Sequence, residues 1–201
     1  MRAMQGVPKF DISVIIPMYN AETWIKQCLE SVLCQKNVSF EIIIVNDGST
    51  DTSPSIADDY AEKFSQIQVI HKKNGGVSSA RNAGLENSHG NYVFFLDIDD
   101  AISNNALQSL LEFAEEQSAD VSECKYMFSQ KERTNYEGVA EVFYGENKIN
   151  YFHKGKVGYC AGKLIRRALI EDNNLRFDEN MSYGEDRNFF YECCRLRMFV
   201  V

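Results

Sequence analysis

Three aspartates within four positions, Asp97, Asp99 and Asp100, are the residues of this chain best suited to chemistry. They follow an apolar run at residues 92–96, which is typical of a strand buried on both faces of a sheet. Carboxylates so close together repel one another unless a cation lies among them or some are protonated. Oxygen ligands favour Mg²⁺ or Mn²⁺, and these ions commonly keep positions open for substrate phosphates. The structural alternative is a polar turn ahead of a helix that begins at Ser103.

Further candidate residues follow the earlier apolar runs of the chain. Pro17 and Tyr19 come after the first run, and the ring of Tyr19 could stack on a nucleotide base. Asp47 comes after the second run and could accept a hydrogen bond from a base N–H. Arg81 follows the Gly75-Gly76 step, where a phosphate could approach the amides of a helix N-terminus. The alternatives are ordinary turn chemistry for Asp47, a packed ring for Tyr19 and a surface ion pair for Arg81.

A second pair of carboxylates, Glu185 and Asp186, follows Gly184 at the start of a predicted helix. Acidic residues at a helix N-terminus are favoured by the helix dipole alone, so the pair could be purely structural. A group transfer needs a base that is separate from a metal cluster, and Asp186 is our candidate for that base.

Strands and helices alternate along the chain and would position these residues. The predicted strands are residues 11–16, 41–45, 68–71 and 92–96, and the helices between and after them begin near Asn20, Ser53, Gly76 and Ser103. This alternation predicts right-handed βαβ units, and therefore an α/β fold with a mostly parallel central sheet flanked by helices. In such sheets ligands bind beyond the carboxyl ends of the strands, which is where the candidate residues lie.

Composition and missing motifs exclude several classes of protein. The 201 residues, 44% hydrophobic and 25% charged, suit one globular domain. A formal net charge of −8 without a Lys/Arg block argues against binding to nucleic acid. No apolar run approaches the roughly 18 residues of a membrane span, and no signal peptide precedes the first strand, so a cytoplasmic location is expected. The absence of GxGxxG and of GxxxxGK[ST] argues against a dehydrogenase and a P-loop NTPase.

Five blocks of sequence occur in an order that is informative as a whole. They are VIIPMYN at residues 14–20, IVNDGSTD at 44–51, GVSSARN at 76–82, FLDIDD at 95–100 and GED at 184–186. In sequence and order these blocks resemble the family 2 glycosyltransferases, over about residues 11–195. Ile98 stands where that family more usually has a serine, and Asn46 where it frequently has an aspartate, but neither departure removes a role assigned below.

The resemblance implies a GT-A fold, which is Rossmann-like, and an inverting transfer of a sugar from a nucleotide-diphospho-sugar, commonly UDP-linked, with Mn²⁺ or Mg²⁺ as cofactor. The positions that match the family's nucleotide pocket are Pro17, Tyr19, Asp47, Arg81 and Asp97; Asp99 matches the metal ligand and Asp186 the catalytic base. The acceptor would be the hydroxyl of a carbohydrate or of a lipid-linked glycan, in polysaccharide or cell-surface glycan synthesis.

The same resemblance divides the chain into parts. We expect a flexible leader at residues 1–10 and a single catalytic domain at 11–201, with a nucleotide-binding half at 11–120 and an acceptor-side half at 121–201. A strand that begins at Met198 stops with the chain, which predicts a truncated C-terminus. Some relatives have a metal-binding histidine and acceptor-binding elements beyond that point, and such elements could dock on the inner face of a membrane.

Three other functions compete with a transferase. A nucleotidyltransferase should have a glycine-rich, basic loop after the first strand, and residues 17–21 are neither. A catalytically inactive module that binds sugar nucleotides is the main alternative, because a truncated chain could lack part of its acceptor site. A purely structural α/β domain would leave the cluster of acidic residues unexplained.

Overall fold

The computed structural model of the chain describes residues 10–123, 142–143, 162–196 and 199–200. The strands are β1 (Ile12–Met18), β2 (Phe40–Asn46), β3 (Ile67–His71), β4 (Tyr92–Phe95), β5 (Val121–Glu123), β6 (Val142–Phe143), β7 (Lys163–Arg166) and β8 (Phe199–Val200). The helices are α1 (Ile25–Leu33), α2 (Ser53–Lys63), α3 (Val77–Glu86), α4 (Ala106–Glu116), α5 (Arg167–Asp172) and α6 (Glu185–Leu196).

All these strands belong to one sheet, in the order β3-β2-β1-β4-β7-β5-β8-β6. Strands β1 to β4 run parallel to one another, as their alternation with helices predicts. Strand β7 lies antiparallel between β4 and β5, with Phe94 opposite Leu164. The predicted α/β architecture is therefore confirmed, with a parallel region at the first four strands and a mixed region beyond β4.

Successive side chains of the buried strands serve two cores, one on each face of the sheet. Every residue of β1 and β2 is buried, which explains why these strands are mostly apolar in sequence. Val14 and Ile16 face a core completed by α1, α2 and α4, whereas Ile15 faces α3, α5 and α6. Gly84 lets α3 lie close on β1, because a Cβ at that position would overlap the Cγ2 methyl of Ile15.

Two helix starts differ from the sequence-based prediction. Helix α1 begins at Ile25, because Asn20 adopts a left-handed conformation (φ +48°) and its side chain accepts a hydrogen bond from the amide of Thr50 instead of capping the helix. Helix α4 begins at Ala106, three residues after Ser103. The predicted strand near Met198 is present as β8, whereas the predicted leader lies outside the described residues except for Phe10. No helix in the described ranges is long and apolar enough to cross a bilayer.

Candidate active site

Loops that follow β1, β2 and β4 meet the start of α3 at the carboxyl edge of the parallel strands. They enclose a cleft of about 440 Å³, within the range of about 300–1,000 Å³ that is typical of small-molecule sites. Six of the seven predicted site residues line it, namely Pro17, Tyr19, Asp47, Arg81, Asp97 and Asp99. The seventh, Asp186, is not part of the lining and lies in the first turn of α6.

The loop after β1 presents an aromatic face beside the cleft. Pro17 is the last-but-one residue of β1 and pairs in register with Val45, whereas Tyr19 is 53% exposed. Hydrogen bonds fasten this loop to the turn after β2, since the Asn20 amide donates to Ser49 Oγ at 3.0 Å and Asn20 Oδ1 accepts from the Thr50 amide at 2.8 Å. The loop that carries the exposed Tyr19 ring is therefore fixed by hydrogen bonds to the neighbouring turn.

Asp47 is buried and organises the entry to α3. Its Oδ1 accepts from the Gly75 amide at 2.9 Å and from Lys72 Nζ at 2.5 Å, and its Oδ2 accepts from the Gly76 amide at 2.8 Å. Gly76 has a φ of +86°, a conformation that other residues rarely adopt. The carboxylate thus holds the glycine turn and is charge-paired with Lys72, a partner that sequence analysis missed because no local motif links the two positions.

Arg81 joins the acidic cluster to the second carboxylate pair. Its guanidinium donates from Nη2 to Asp97 Oδ1 at 3.0 Å and from Nη1 to Glu185 Oε1 at 3.1 Å. The Arg81 side chain is only 6% exposed and lies 5.3 Å from the ring centroid of Phe177. The alternative of a surface ion pair is therefore wrong: Arg81 is a buried bridge between two separate segments of the chain.

Burial and the neighbouring carboxylates together raise the pKa of two groups at the acidic cluster. Burial raises the pKa of Asp100, and the nearby charges of Asp97 and Asp99 raise it further. The pKa of the Cys28 thiol, whose Sγ lies 3.8 Å from the backbone oxygen of Asp97, is raised to about 12 by burial and then by the three aspartates. Asp99 is exposed. Within the described residues, no group of three or more His, Cys, Asp or Glu side chains is arranged to hold a metal ion.

Asp186 is buried at the start of α6, where its Oδ1 accepts from the Arg187 amide at 2.7 Å. The helix is held on the sheet by aromatic contacts, because Phe189 stacks on Phe177 at 4.1 Å and meets Phe95 edge-on at 5.8 Å. Both carboxylates of the Glu185-Asp186 pair thus lie in a helix turn that is packed beside the end of β4.

Two further polar contacts on this side of the molecule escaped sequence analysis. Asn82, on α3, donates to the backbone oxygen of Phe177 and to Glu179 Oε1, and accepts from the Phe177 amide, each at 2.9 Å. Lys163 is buried at the start of β7, 2.9 Å from Glu123 Oε1 and 4.5 Å from the centroid of the Phe190 ring. Partners this far apart in sequence leave no local pattern that could predict them.

Comparisons with known proteins agree with this architecture. The chain is 38% identical over 199 residues to the uncharacterized glycosyltransferase EpsJ of Bacillus subtilis, covering 93% of this chain and 58% of EpsJ. It is 34% identical over 184 residues to the minor teichoic acid biosynthesis protein GgaB of the same organism, covering 88% of this chain and 20% of GgaB. The chain therefore spans little more than half of EpsJ and a smaller part of GgaB.

Among solved structures, S. aureus TarS 1-349 in complex with UDP superimposes with a TM-score of 0.78 at 27% identity, covering 94% of this chain and 60% of that chain. TarS has also been solved with UDP-GlcNAc. The family model described as Glycosyl transferase family 2 matches residues 13–173, which is well over half of the sequence. On this match, and in agreement with the resemblance of the five sequence blocks, the chain belongs to glycosyl transferase family 2.

Proposed function

We propose that this protein moves a sugar, with inversion, from a nucleotide-diphospho-sugar to an acceptor hydroxyl. The observation that carries the proposal is the cleft itself, which Asp97 and Asp99 line and in which the Asp97 carboxylate is tied through Arg81 to the helix turn that bears Asp186. The TarS complexes favour a UDP-sugar as donor. The name of GgaB favours a cell-surface glycan as acceptor.

The donor's nucleotide would occupy the part of the cleft between the loop after β1 and the start of α3. The exposed ring of Tyr19 can stack on the base, and Pro17 forms the adjoining wall. Asp47 can accept from a base N–H at Oδ2, which has one present partner where Oδ1 has two. Asp97, which lines the same cleft, would then contact the ribose of the donor.

The charges of the cleft favour a divalent cation as a partner of the donor. Arg81 is shared between Asp97 and Glu185, and Lys72 is paired with Asp47, so neither cation outweighs the carboxylates around it. A diphosphate entering this cleft alone would meet net negative charge. Asp99, which is exposed, is the proposed ligand of Mn²⁺ or Mg²⁺. When bound, such an ion supplies positive charge that offsets the charge developing on the leaving diphosphate.

Asp186 would act as the base for the acceptor. Removal of a proton from the attacking hydroxyl by a positioned carboxylate typically contributes about 10²–10⁴ in rate. Attack from the side opposite the leaving diphosphate inverts the anomeric centre in one displacement, and no second carboxylate is needed as a nucleophile. If the acceptor is a lipid-linked glycan, the protein would work as a peripheral partner at the inner face of a membrane.

A thermal-shift panel of UDP-sugars and UDP, with and without Mn²⁺, tests donor recognition directly. A ligand that binds only the native state raises the apparent Tm, and at 100 times its Kd the added stability is about 2.7 kcal/mol. We expect a shift with at least one UDP-sugar that is larger with Mn²⁺, and loss of the Mn²⁺ increment in Asp99→Asn. The matched control is Asp59→Asn, an exposed aspartate on α2.

Turnover separates the transferase from an inactive binding module. Hydrolysis or transfer of the donor that gives the largest shift is followed in the presence of Mn²⁺. Affinity without turnover would assign the protein to the binding class, and a panel without any nucleotide-dependent shift would overturn both assignments.

A further inference from the structure

We propose that Glu185 is a positioning residue that, through Arg81, sets the distance between the donor-binding Asp97 and the proposed base Asp186. The proposal rests on the proposed function for its kinetic consequence, whereas its structural part concerns the chain alone. Glu185 is 14% exposed and accepts from Arg81 Nη1, while Asp97 accepts from Nη2 of the same guanidinium.

The guanidinium is suited to this task by its shape. Its donors lie in one rigid plane, so two carboxylates bound to different nitrogens take a fixed relative position, which a lysine ammonium could not impose. Arg81 itself is held in place, since α3 packs on β1 and the ring of Phe177 lies beside the guanidinium. Glu185 and Asp186 are consecutive residues in the first turn of α6, and therefore a shift of one carboxylate moves the other.

A local backbone hydrogen bond lies at each of the two segments that Arg81 connects. The Asp100 amide donates to the backbone oxygen of Asp97 at 3.0 Å, and the Asn188 amide donates to that of Gly184 at 3.0 Å. These amides report separately on the acidic loop and on the first turn of α6. A bridge that couples the two segments makes the exchange of each amide depend on the carboxylate at the other end.

Because Glu185 is negatively charged, its substitution should change kcat and donor affinity differently, which a simple loss of structure would not do. Glu185→Gln removes a negative charge near an anionic donor and replaces the ion pair with Arg81 by, at most, a neutral hydrogen bond. UDP affinity in Mn²⁺ should therefore stay the same or increase. Catalysis should fall roughly tenfold to hundredfold, because the base is no longer held in register with the donor. The expected result is a lower kcat with an unchanged or lower donor KM.

The test compares Glu185→Gln with Glu192→Gln, the same substitution on the same helix at an exposed pair with Arg195. In the ligand-free protein, Glu185→Gln should speed hydrogen exchange at residues 97–100, and Asp97→Asn should speed it at the Asn188 amide. Glu192→Gln should do neither. The proposal is overturned if each substitution acts only on its own segment, or if Glu185→Gln weakens UDP binding.

The exchange measurement keeps this proposal separate from the proposed function. Reciprocal exchange effects in a protein that turns over no UDP-sugar would establish the bridge and reject the transferase. Turnover by the parent protein, with exchange effects confined to the substituted segment, would support the transferase and reject the bridge.

Discussion

The loops around the cleft, which are the proposed donor side, and the segment at residues 175–189, which is the proposed acceptor side, are held in place in different ways. On the donor side, loops follow fully buried parallel strands, and several different side chains, among them Asn20 and Asp47, fasten them by accepting from backbone amides. On the acceptor side, the segment at residues 175–189 is held by side chains of α3 and by stacked rings, chiefly through Arg81 and Asn82.

This difference has a consequence for how each side responds to substitution. A loop fastened by several side chains loses little when only one of them is changed. A segment docked through two side chains depends on each of them. We therefore expect donor binding to tolerate single substitutions of structural residues, and acceptor-side order and catalysis to be sensitive to changes on α3.

Asp186→Asn is the substitution expected to separate transfer from donor binding most clearly. The amide cannot act as a base, so transfer should fall by about 10²–10⁴, while UDP binding in Mn²⁺ should match that of the parent. Rates come from single-turnover transfer, and affinities from calorimetry with UDP. Asp178→Asn, an exposed aspartate on the same side, serves as the control. Transfer by Asp186→Asn at near the parent rate would show that another residue is the base.

Asn82→Ala should undock the acceptor side while the donor side stays ordered. It removes three hydrogen bonds and leaves the buried amide and backbone oxygen of Phe177 without that partner. The free energy of unfolding should fall by about 2–4 kcal/mol, although alanine is the better helix former. Urea denaturation measures the loss, and Asn104→Ala, at an exposed site, should change it little.

Hydrogen exchange shows where the Asn82→Ala effect falls. Residues 175–189 should exchange faster, whereas the amides of Gly75 and Gly76 should keep the parent's protection. Equal acceleration on both sides would contradict the distinction between loops fastened by several side chains and a segment docked through two.

The same distinction explains which features the sequence could predict. Strands β1 to β4 and the carboxyl-edge residues follow from local patterns, since each apolar run and each turn lies within a few positions. The sequence predicts Arg81 as a candidate site residue, but its partners Asp97 and Glu185 are 16 and 104 positions away, and no local pattern indicates such pairings. Strand β7 is not predicted from the sequence, because only three of its four residues pair with β4 and that antiparallel pairing is long-range.

The smallest expected effect tests redundancy on the donor side. Asp51 accepts from the Glu22 amide at 3.0 Å, and from both the amide and the hydroxyl of Ser53. Burial by itself would raise the pKa of this carboxyl, but the hydrogen bonds outweigh it and the pKa is lowered from its ordinary value of 3.8.

A lowered pKa in the folded state means that the ionised carboxylate stabilises the fold above the unfolded pKa, and that this contribution is lost as the pH falls through the folded value. Asp51→Asn should therefore lower Tm at pH 7 by no more than about 2 °C. Other hydrogen bonds still fasten the loop, since the Thr52 amide donates to Glu22 Oε2 and the Thr50 amide donates to Asn20 Oδ1. Calorimetry from pH 7 to below 3.8 should show the two proteins converging in acid. A loss at pH 7 as large as that of Asn82→Ala would mean that the donor side, too, depends on single side chains.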